Sequence, residues 1–285
     1  MKKILIQIDS DKVPNSFDSI IAFDSGVDHI LHYGGIIPGE VRNIVYSAMF
    51  ARGEDELKNS AIFIGGSNVS VGEIMLKEAV ESFFDTNSVS VMMDAKGCNT
   101  TAAAAVKKII SCGNIKGKKV AVLGGTGPVG MRAAALLAKE GALVTITSRE
   151  PDKAIDICGL IKKRFDTDVS PACANEIDEL DKIIEDKYAV LTAGAAGVTM
   201  LPEAIWKEHS SIKVMADVNA VSPLGIEGIK SHWSAKENEG KLIFGAIGMG
   251  KLKIKVHREC ISLLFNQNDM ILDAEGIYDA AGRLN

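Results

Sequence analysis

Residues 120–150 read VAVLGGTGPVGMRAAALLAKEGALVTITSRE, and the fold turns on how this stretch is understood. An apolar run ends in Gly125-x-Gly127-x-x-Gly130, a segment of helical period follows, and a second apolar run closes the unit. Glycines at this spacing permit a tight turn, let the backbone approach a pyrophosphate and let the helix pack on its strand. With Thr126, Pro128 and Val129 between them, they would set the N–H groups of a helix start against the phosphates. The competing reading is a tight strand-to-helix turn and nothing more. Strand, helix and next strand fall in the order a dinucleotide fold requires, which favours the phosphate-binding reading.

The end of that second apolar run, TITSRE, bears on which dinucleotide is bound. NAD sites place an acidic residue there to hold the ribose 2′-hydroxyl. Here Ser148 occupies the position and Arg149 follows, with a planar fork suited to a phosphate dianion. The expectation is NADP, with NAD also accepted if Glu150 takes a ribose hydroxyl. Arg149 as a solvated surface residue is the alternative. Further on, LTAGAAG (191–197) is a strand end of small residues, so Ala193 suits close passage of a cofactor or simply tight packing. Asp217 and Asn219 end another predicted strand on the ligand-binding edge of such sheets, where they either meet the nicotinamide or cap the following turn.

Working outward, apolar runs alternate with helical patterns almost from end to end, the signature of α/β architecture with parallel sheets. The first hundred residues predict strands at KKILIQID, HILHYG, AIFIGG and VSVMMD, with helices near 14–24, 38–50 and 70–84. Residues 98–113 read as a connecting helix whose start is capped by Asn99, Thr100 and Thr101. A second alternation follows, with strands at 119–124, 142–147, 188–193, 213–217 and 241–245. The expected domains are residues 1–100, joined by C-terminal helices over 251–285 that pack back on them, and a Rossmann-type domain over 101–250.

With 285 residues the chain is long enough for two domains, and 47% hydrophobic with 24% charged residues is ordinary for a globular protein. A net charge of -5 without any basic block argues against nucleic-acid binding, and no run reaches membrane-spanning length. Five scattered cysteines without a CxxC pair suggest neither a disulfide framework nor a zinc site, so a reducing cytoplasm is expected. Asp28-His29-x-x-His32 lacks a third convincing ligand, and local hydrogen bonding is the better reading; no metal is expected.

The segment KLKIKVHREC (251–260) alternates like a strand, yet the apolar ISLLF after it extends a helix. At about 100° per residue, Leu252, Val256, Cys260, Leu263 and Leu264 share one arc while Lys251, Lys255, Arg258 and Glu259 gather opposite. Lys253 and His257, one turn apart, then point inward. The alternative is a core histidine and a lysine whose stem is buried while its head reaches water.

Several stretches together, IQIDSDKVPNSFDSIIAFDSGVDHI, DAKGCNTTAAA, GGTGPVGMRAAALLA and GAIGMGKLKIKVHREC, resemble the NADP-dependent methylene-tetrahydromethanopterin dehydrogenases, a family related in fold to methylene-tetrahydrofolate dehydrogenases. The resemblance spans essentially the whole chain. It implies a pterin-binding lobe, an NADP lobe and a homotrimer in which a neighbouring subunit helps to wall the active-site cleft. Carried over residue by residue, it places the active site at Phe17, Thr101, Lys253 and His257. Lys251 departs from the pattern, standing where glycine is expected after GMG, in a loop before the helix. Lys96 touches either substrate or solvent.

The implied chemistry needs no catalytic triad. Hydride leaves a methylene carbon held between two nitrogens and gives an amidinium-like methenyl cation, so no proton is released. The Tyr-x-x-x-Lys pattern of bifunctional folate relatives is absent, since Tyr33 is followed by Ile37 and Tyr46 by Phe50, and no methenyl cyclohydrolase activity is expected. Two rival readings are a shikimate-dehydrogenase-like oxidoreductase, whose N-terminal serine pair and Lys/Asp dyad are not apparent here, and a non-catalytic NADPH-sensing module.

Overall fold

The computed structural model describes residues 1–284, and the chain divides into two compact units. The first comprises Met1–Thr100 with Ile254 onward, and the second Thr101–Lys253. Both crossings between units occur inside helices rather than in loops.

The first unit is built from β1 (Ile4–Asp9), α1 (Ser16–Asp24), β2 (His29–Gly34), α2 (Pro38–Phe50), β3 (Ser60–Ile64), α3 (Val69–Val80), β4 (Ser90–Met93) and the start of α4 (Cys98–Ile110). Its strands form a fully parallel sheet in the order β12-β4-β3-β1-β2, where β12 (Ile271–Leu272) returns from the C-terminus to pair with β4. The chain leaves β1 for one edge and comes back to β3 on the other side. The crevice between the ends of β1 and β3 is therefore the switch point at which such sheets bind ligands. β3 and β4 are buried along their whole length, as expected of strands covered on both faces, whereas edge strand β2 is largely exposed.

The second unit continues with β5 (Lys119–Leu123), α5 (Pro128–Lys139), β6 (Leu143–Ser148), α6 (Pro151–Phe165), β7 (Ser170–Cys173), α7 (Ile177–Ile184), β8 (Ala189–Thr192), α8 (Glu203–Glu208), β9 (Val214–Asp217), β10 (Lys236–Asn238) and β11 (Lys241–Phe244). Its sheet runs β10-β11-β9-β8-β5-β6-β7, the dinucleotide-binding order with one antiparallel strand, β10, added at the edge. Trp206, Leu180, Met215 and Ile243 lie in the core on one side of this sheet. The α/β class and the Rossmann-type second sheet agree with the sequence expectation.

Four local expectations need correction. Asn99, Thr100 and Thr101 do not cap α4; Asp94 does, its Oδ1 accepting from the N–H groups of Asn99 (2.8 Å) and Thr100 (3.1 Å). The helix containing KLKIKVHREC is α9 (Ala246–Leu263), so Gly248 to Lys251 lie inside a helix and not in a loop before it. Glycine at 248 is a packing requirement, because a Cβ there would collide with the Trp233 carbonyl. The C-terminal segment is not all helical, since β12 separates α9 from α10 (Ala274–Ala281). Strands β7 and β10 add to those expected from the sequence. β7 carries Pro171, which an edge strand tolerates but which masks a strand pattern.

Candidate active site

In the second unit the glycine turn lies at the switch point between β5 and β8. Its geometry is fixed from below by β6, where Thr147 accepts from Gly124 N–H through Oγ1 (3.0 Å) and from Gly125 N–H through its carbonyl (3.1 Å). The glycines have distinct duties. A Cβ at Gly125 would meet Ile146 at 2.8 Å, and one at Gly130 would meet the Gly125 Cα at 2.8 Å, so both are dictated by strand–helix packing. Gly124 has φ +67° and sits against the backbone of Gly194, bringing the β8 loop close to the turn. A Cβ at Gly127 would meet only the Ala193 carbonyl at 3.8 Å, so this glycine leaves a space that the protein itself does not fill.

Helix α5 starts at that space. Its N-cap is Gly127 with Pro128 next, and no side chain caps it, whereas α1 is capped by the Asn15 carboxamide and α3 by that of Asn68. The first-turn N–H groups, those of Val129 and Gly130 among them, are thus available to an anion, aided by the helix dipole. Thr126 belongs to the same turn. The residues present fit a dinucleotide pyrophosphate.

At the end of β6 Ser148 is buried and its Oγ accepts from Glu150 N–H (3.1 Å), while the Arg149 and Glu150 side chains are exposed. Ser148 stands opposite Cys173 of β7, whose thiol donates to the Arg149 carbonyl (3.7 Å) and accepts from Asn175 Nδ2 (3.2 Å). The β6–β7 edge thereby holds the Arg149 backbone while leaving its side chain in solvent.

Asp217 and Asn219 are engaged otherwise. Asp217 is fully buried, and its carboxylate accepts from the Thr192 hydroxyl (2.8 Å) and from the N–H groups of Asn219 (2.9 Å) and Ile226 (3.2 Å). Burial pushes its carboxyl above the usual range despite those donors. Asn219 accepts from Val221 N–H and donates to the Pro223 carbonyl. Both side chains anchor the loop after β9, the engagement that the turn-capping reading describes.

In the first unit the switch point collects side chains. Phe17 and Asp18 occupy the first turn of α1, placed by the Asn15 cap, whose Oδ1 accepts from Phe17 N–H (3.0 Å). From α9 His257 enters at 1% exposure, its ring stacked on Phe63 of β3 (centroids 5.5 Å apart, 21°) and inclined to Phe17 (6.3 Å, 57°). Its Nδ1 lies 4.0 Å from Asp18 Oδ1. The outer face of α9 is tied to α1 by the Arg258–Asp24 ion pair. Gly65, directly after β3, is needed here, because a Cβ would press on Asp9 Oδ2 (3.1 Å) and Phe63 (3.2 Å).

Phe17 and His257, from opposite ends of the chain, are thus brought together. Lys253 lies one turn before His257 on α9 and is half-buried, as is Thr101, which follows Thr100 on α4. Lys253 and Thr101 fall in the second unit, at the two crossings, while Phe17 and His257 fall in the first. Sequence reasoning missed Asp18, Phe63 and Gly65; only the adjacency of Asp18 to Phe17 offered a signal. Lys96 is exposed and holds a left-handed backbone (φ 55°), its N–H bound to the Gly66 carbonyl (2.7 Å). His32 meets the Ser19 hydroxyl (2.9 Å) and Asp28 accepts from Lys3 N–H (2.7 Å). Among the described residues no three His, Cys, Asp or Glu side chains gather as a metal site.

Comparison with known proteins places this geometry. Residues 16–96, which hold Phe17, Asp18, Phe63 and Gly65, match the model of the methylene-tetrahydromethanopterin dehydrogenase N-terminal domain. Over 282 residues, 98% of each chain, the sequence is 44% identical to the bifunctional protein MdtA of Methylorubrum extorquens. The chain belongs to the methylene-tetrahydromethanopterin dehydrogenase family. A second relative from the same organism, an NAD(P)-dependent methylenetetrahydromethanopterin dehydrogenase, is 28% identical, again over 98% of each chain. Among solved structures, quinate dehydrogenase from Corynebacterium glutamicum in complex with NAD matches over 99% of both chains with a TM-score of 0.59 at 12% identity. Shikimate dehydrogenase from Aquifex aeolicus matches over 99% of this chain and 98% of its own with a TM-score of 0.51 at 16% identity. Family members thus share their fold, and at this identity only their fold, with those enzymes.

Proposed function

We propose that the protein is an oxidoreductase that transfers hydride reversibly from methylene-tetrahydromethanopterin to NADP, releasing the methenyl cation. One observation carries this reading: Phe17 and His257 meet at the switch point of the first sheet, in a chain whose second sheet carries an uncapped glycine turn at its own switch point. The first unit, residues 1–100 with 254–284, then forms the pterin domain, and the second, 101–253, the dinucleotide domain.

When bound, NADP supplies the hydride-accepting ring. The chain's own residues bind and orient. Gly125, Gly127 and Gly130 admit the pyrophosphate to the start of α5, and Arg149, with Ser148 beside it, meets the 2′-phosphate. Ala193, whose carbonyl flanks Gly127, lines the passage of the dinucleotide. Phe17 packs on the pterin ring, Lys253 and His257 hold its polar edge, and Thr101 contributes a hydroxyl. Since hydride departure creates a delocalised cation without freeing a proton, these groups work by proximity and orientation rather than by proton transfer.

The reading extends to assembly and place. Leu31 and Tyr33 of edge strand β2 and Ile20 and Phe23 of α1 are exposed apolar residues, which supports self-association; the homotrimer is the state that the family resemblance implies. Light scattering in solution tests that state. Among the described residues the cysteines form no disulfide and no helix is long and apolar enough to cross a membrane, which supports a cytoplasmic site.

The test of function is NADPH formation measured side by side with methylene-tetrahydromethanopterin and methylene-tetrahydrofolate. Turnover with the first, at a rate dependent on NADP, is expected. NADPH binding without oxidation of either pterin would overturn the proposal and favour a sensing module. The methenyl product should persist, and accelerated loss of its absorbance on adding protein would reveal a cyclohydrolase.

A further inference from the structure

The second sheet consists of two halves that meet at the β5–β8 switch point, β5-β6-β7 on one side and β8-β9-β11 on the other. A dinucleotide lies across such a crevice with one nucleoside over each half. With the pyrophosphate at the glycine turn and the 2′-phosphate of the adenosine at Arg149 after β6, the nicotinamide nucleoside falls over the ends of β8 and β9. Its ring needs one face open to the hydride donor and the other held by the protein.

Two loops leave those strand ends. The loop after β8 is tied at both of its ends, by Ala193 N–H to the Leu123 carbonyl (2.8 Å) and by Met200 N–H to the Gly225 carbonyl (2.8 Å). The loop after β9 is fixed as well, with Val218 N–H donating to the Thr192 carbonyl (3.2 Å) and Val221 N–H to Asn219 Oδ1 (3.0 Å). The two run side by side, since a Cβ at Gly197 would meet the Ser222 carbonyl at 3.8 Å. Val198 follows that glycine and Val221 precedes that serine, and both side chains are exposed, at 44% and 55%. The Asp217 carboxylate and the Asn219 carboxamide are meanwhile held by the loop itself, so valine is the large apolar group that each loop leaves in water. A lone exposed valine asks for no explanation. One on each of two adjoining, tied loops at the ligand edge does.

We propose that Val198 and Val221 form the apolar seat of the nicotinamide ring, covering the face turned away from the hydride donor. The inference rests on the dinucleotide reading of the glycine turn and adds the contacts of the reacting end, which the turn does not reach. Branched aliphatic side chains laid on a flat ring remove apolar surface from water and leave the carboxamide edge to polar groups. Their stiffness at χ1 keeps the ring in one plane.

The test compares NADPH with 2′-phospho-ADP-ribose, the same molecule without its nicotinamide ring, in the wild-type protein and in the double variant Val198→Ala, Val221→Ala. Wild type should bind NADPH at least about tenfold more tightly than the ring-free ligand, with the emission of the bound dihydronicotinamide shifted to the blue. In the double variant the NADPH dissociation constant should rise about tenfold, as expected for methyl groups lost from a ring contact, and the emission should move back toward that of free NADPH. The ring-free ligand should bind as it does to wild type, and because both side chains are exposed the melting temperature should stay within about 2 °C. Equal wild-type affinity for the two ligands, a measurement that needs no variant, would overturn the inference, and so would wild-type NADPH affinity and emission in the double variant. Equal weakening of both ligands would also overturn it, because the valines would then shape the glycine turn rather than seat the ring. A wild-type protein that binds neither ligand would overturn the dinucleotide reading itself, which separates the two failures.

Discussion

At the end of β5 the chain strips side chains away, whereas at the ends of β1 and β3 it gathers them. The glycine turn of the second unit works by exclusion: Gly125 and Gly130 permit contact between strand and helix, Gly127 leaves a space, and the uncapped start of α5 provides backbone donors. The switch point of the first unit works by accumulation, with Phe17, Asp18, Phe63 and His257 converging from α1, β3 and α9. A phosphate asks for charge and N–H groups, which any backbone has. A flat heterocycle with a patterned edge asks for a ring and matched side chains. On the proposed reading, the corresponding edges of the two sheets serve different ligands, one recognised by main chain and the other by side chains.

That contrast breaks most readily at Lys253. Lys253→Ala should lower kcat/KM for the pterin by about a hundredfold to a thousandfold, as expected for removing one partner of a largely desolvated charged contact. NADP affinity and melting temperature should stay unchanged, which steady-state kinetics and a thermal melt check together. Wild-type activity, or loss that merely follows unfolding, would remove Lys253 from the site.

The glycines sharpen the other half. At Gly127 alanine meets nothing nearer than 3.8 Å, so Gly127→Ala should melt within about 2 °C of wild type. The added methyl should nonetheless raise the NADP dissociation constant by about tenfold to a hundredfold, because it occupies the phosphate's approach. Gly130→Ala reverses the pattern: backbone 2.8 Å away cannot yield cheaply, and about 1–3 kcal/mol of stability should be lost. Titration of NADPH fluorescence beside a melt separates the two variants.

The two sites differ in how visible they are in the sequence. The glycine turn is legible because it is a local demand on backbone geometry, written within six residues. Helical periodicity by itself turns His257 inward, and the side chain indeed lies at 1% exposure. Phe17 and Thr101 enter through family resemblance alone. Asp18, Phe63 and Gly65 are not legible, since what matters about them is who they meet across the sheet. The start of α9 is hidden because Gly248 and Gly250 look like a loop, although close approach of the Trp233 carbonyl explains the first. Strand β7 is obscured by its proline, and Asp217 has the sequence position of a cofactor ligand while its oxygens hold Thr192, Asn219 and Ile226.

Smaller effects test the margins of the dinucleotide site. Arg149→Ala should lower kcat/KM for NADP by about tenfold to a hundredfold, the worth of a charged hydrogen bond, and leave NAD nearly unaffected. Equal losses would mean that Arg149 does not read the 2′-phosphate. On the opposite edge of the same sheet, Asp186 joins Lys119 and Lys187, the residues that lead into β5 and β8. Hydrogen bonds from Lys119 and then Lys187 hold its carboxyl down at about 2. A carboxyl lowered in the folded state stabilises above its unfolded value and loses that contribution as pH falls through the folded one. Because Asp186 is half exposed, the contribution is under about 1 kcal/mol. Asp186→Asn should therefore melt slightly earlier at neutral pH, converge with wild type between about pH 4 and pH 2, and keep full activity, as expected of an edge that binds no ligand.

The most direct test of the central claim follows the hydride itself. Methylene-tetrahydromethanopterin carrying two deuterons on its one-carbon unit is oxidised with NADP in ordinary water, and the reduced nicotinamide is analysed by mass spectrometry and proton NMR. Direct transfer predicts one deuteron on the nicotinamide C4 of each NADPH formed, one retained on the methenyl carbon, and none released to solvent. Unlabelled NADPH, or deuterium appearing in the water, would contradict a site that works by bringing two rings together without moving a proton.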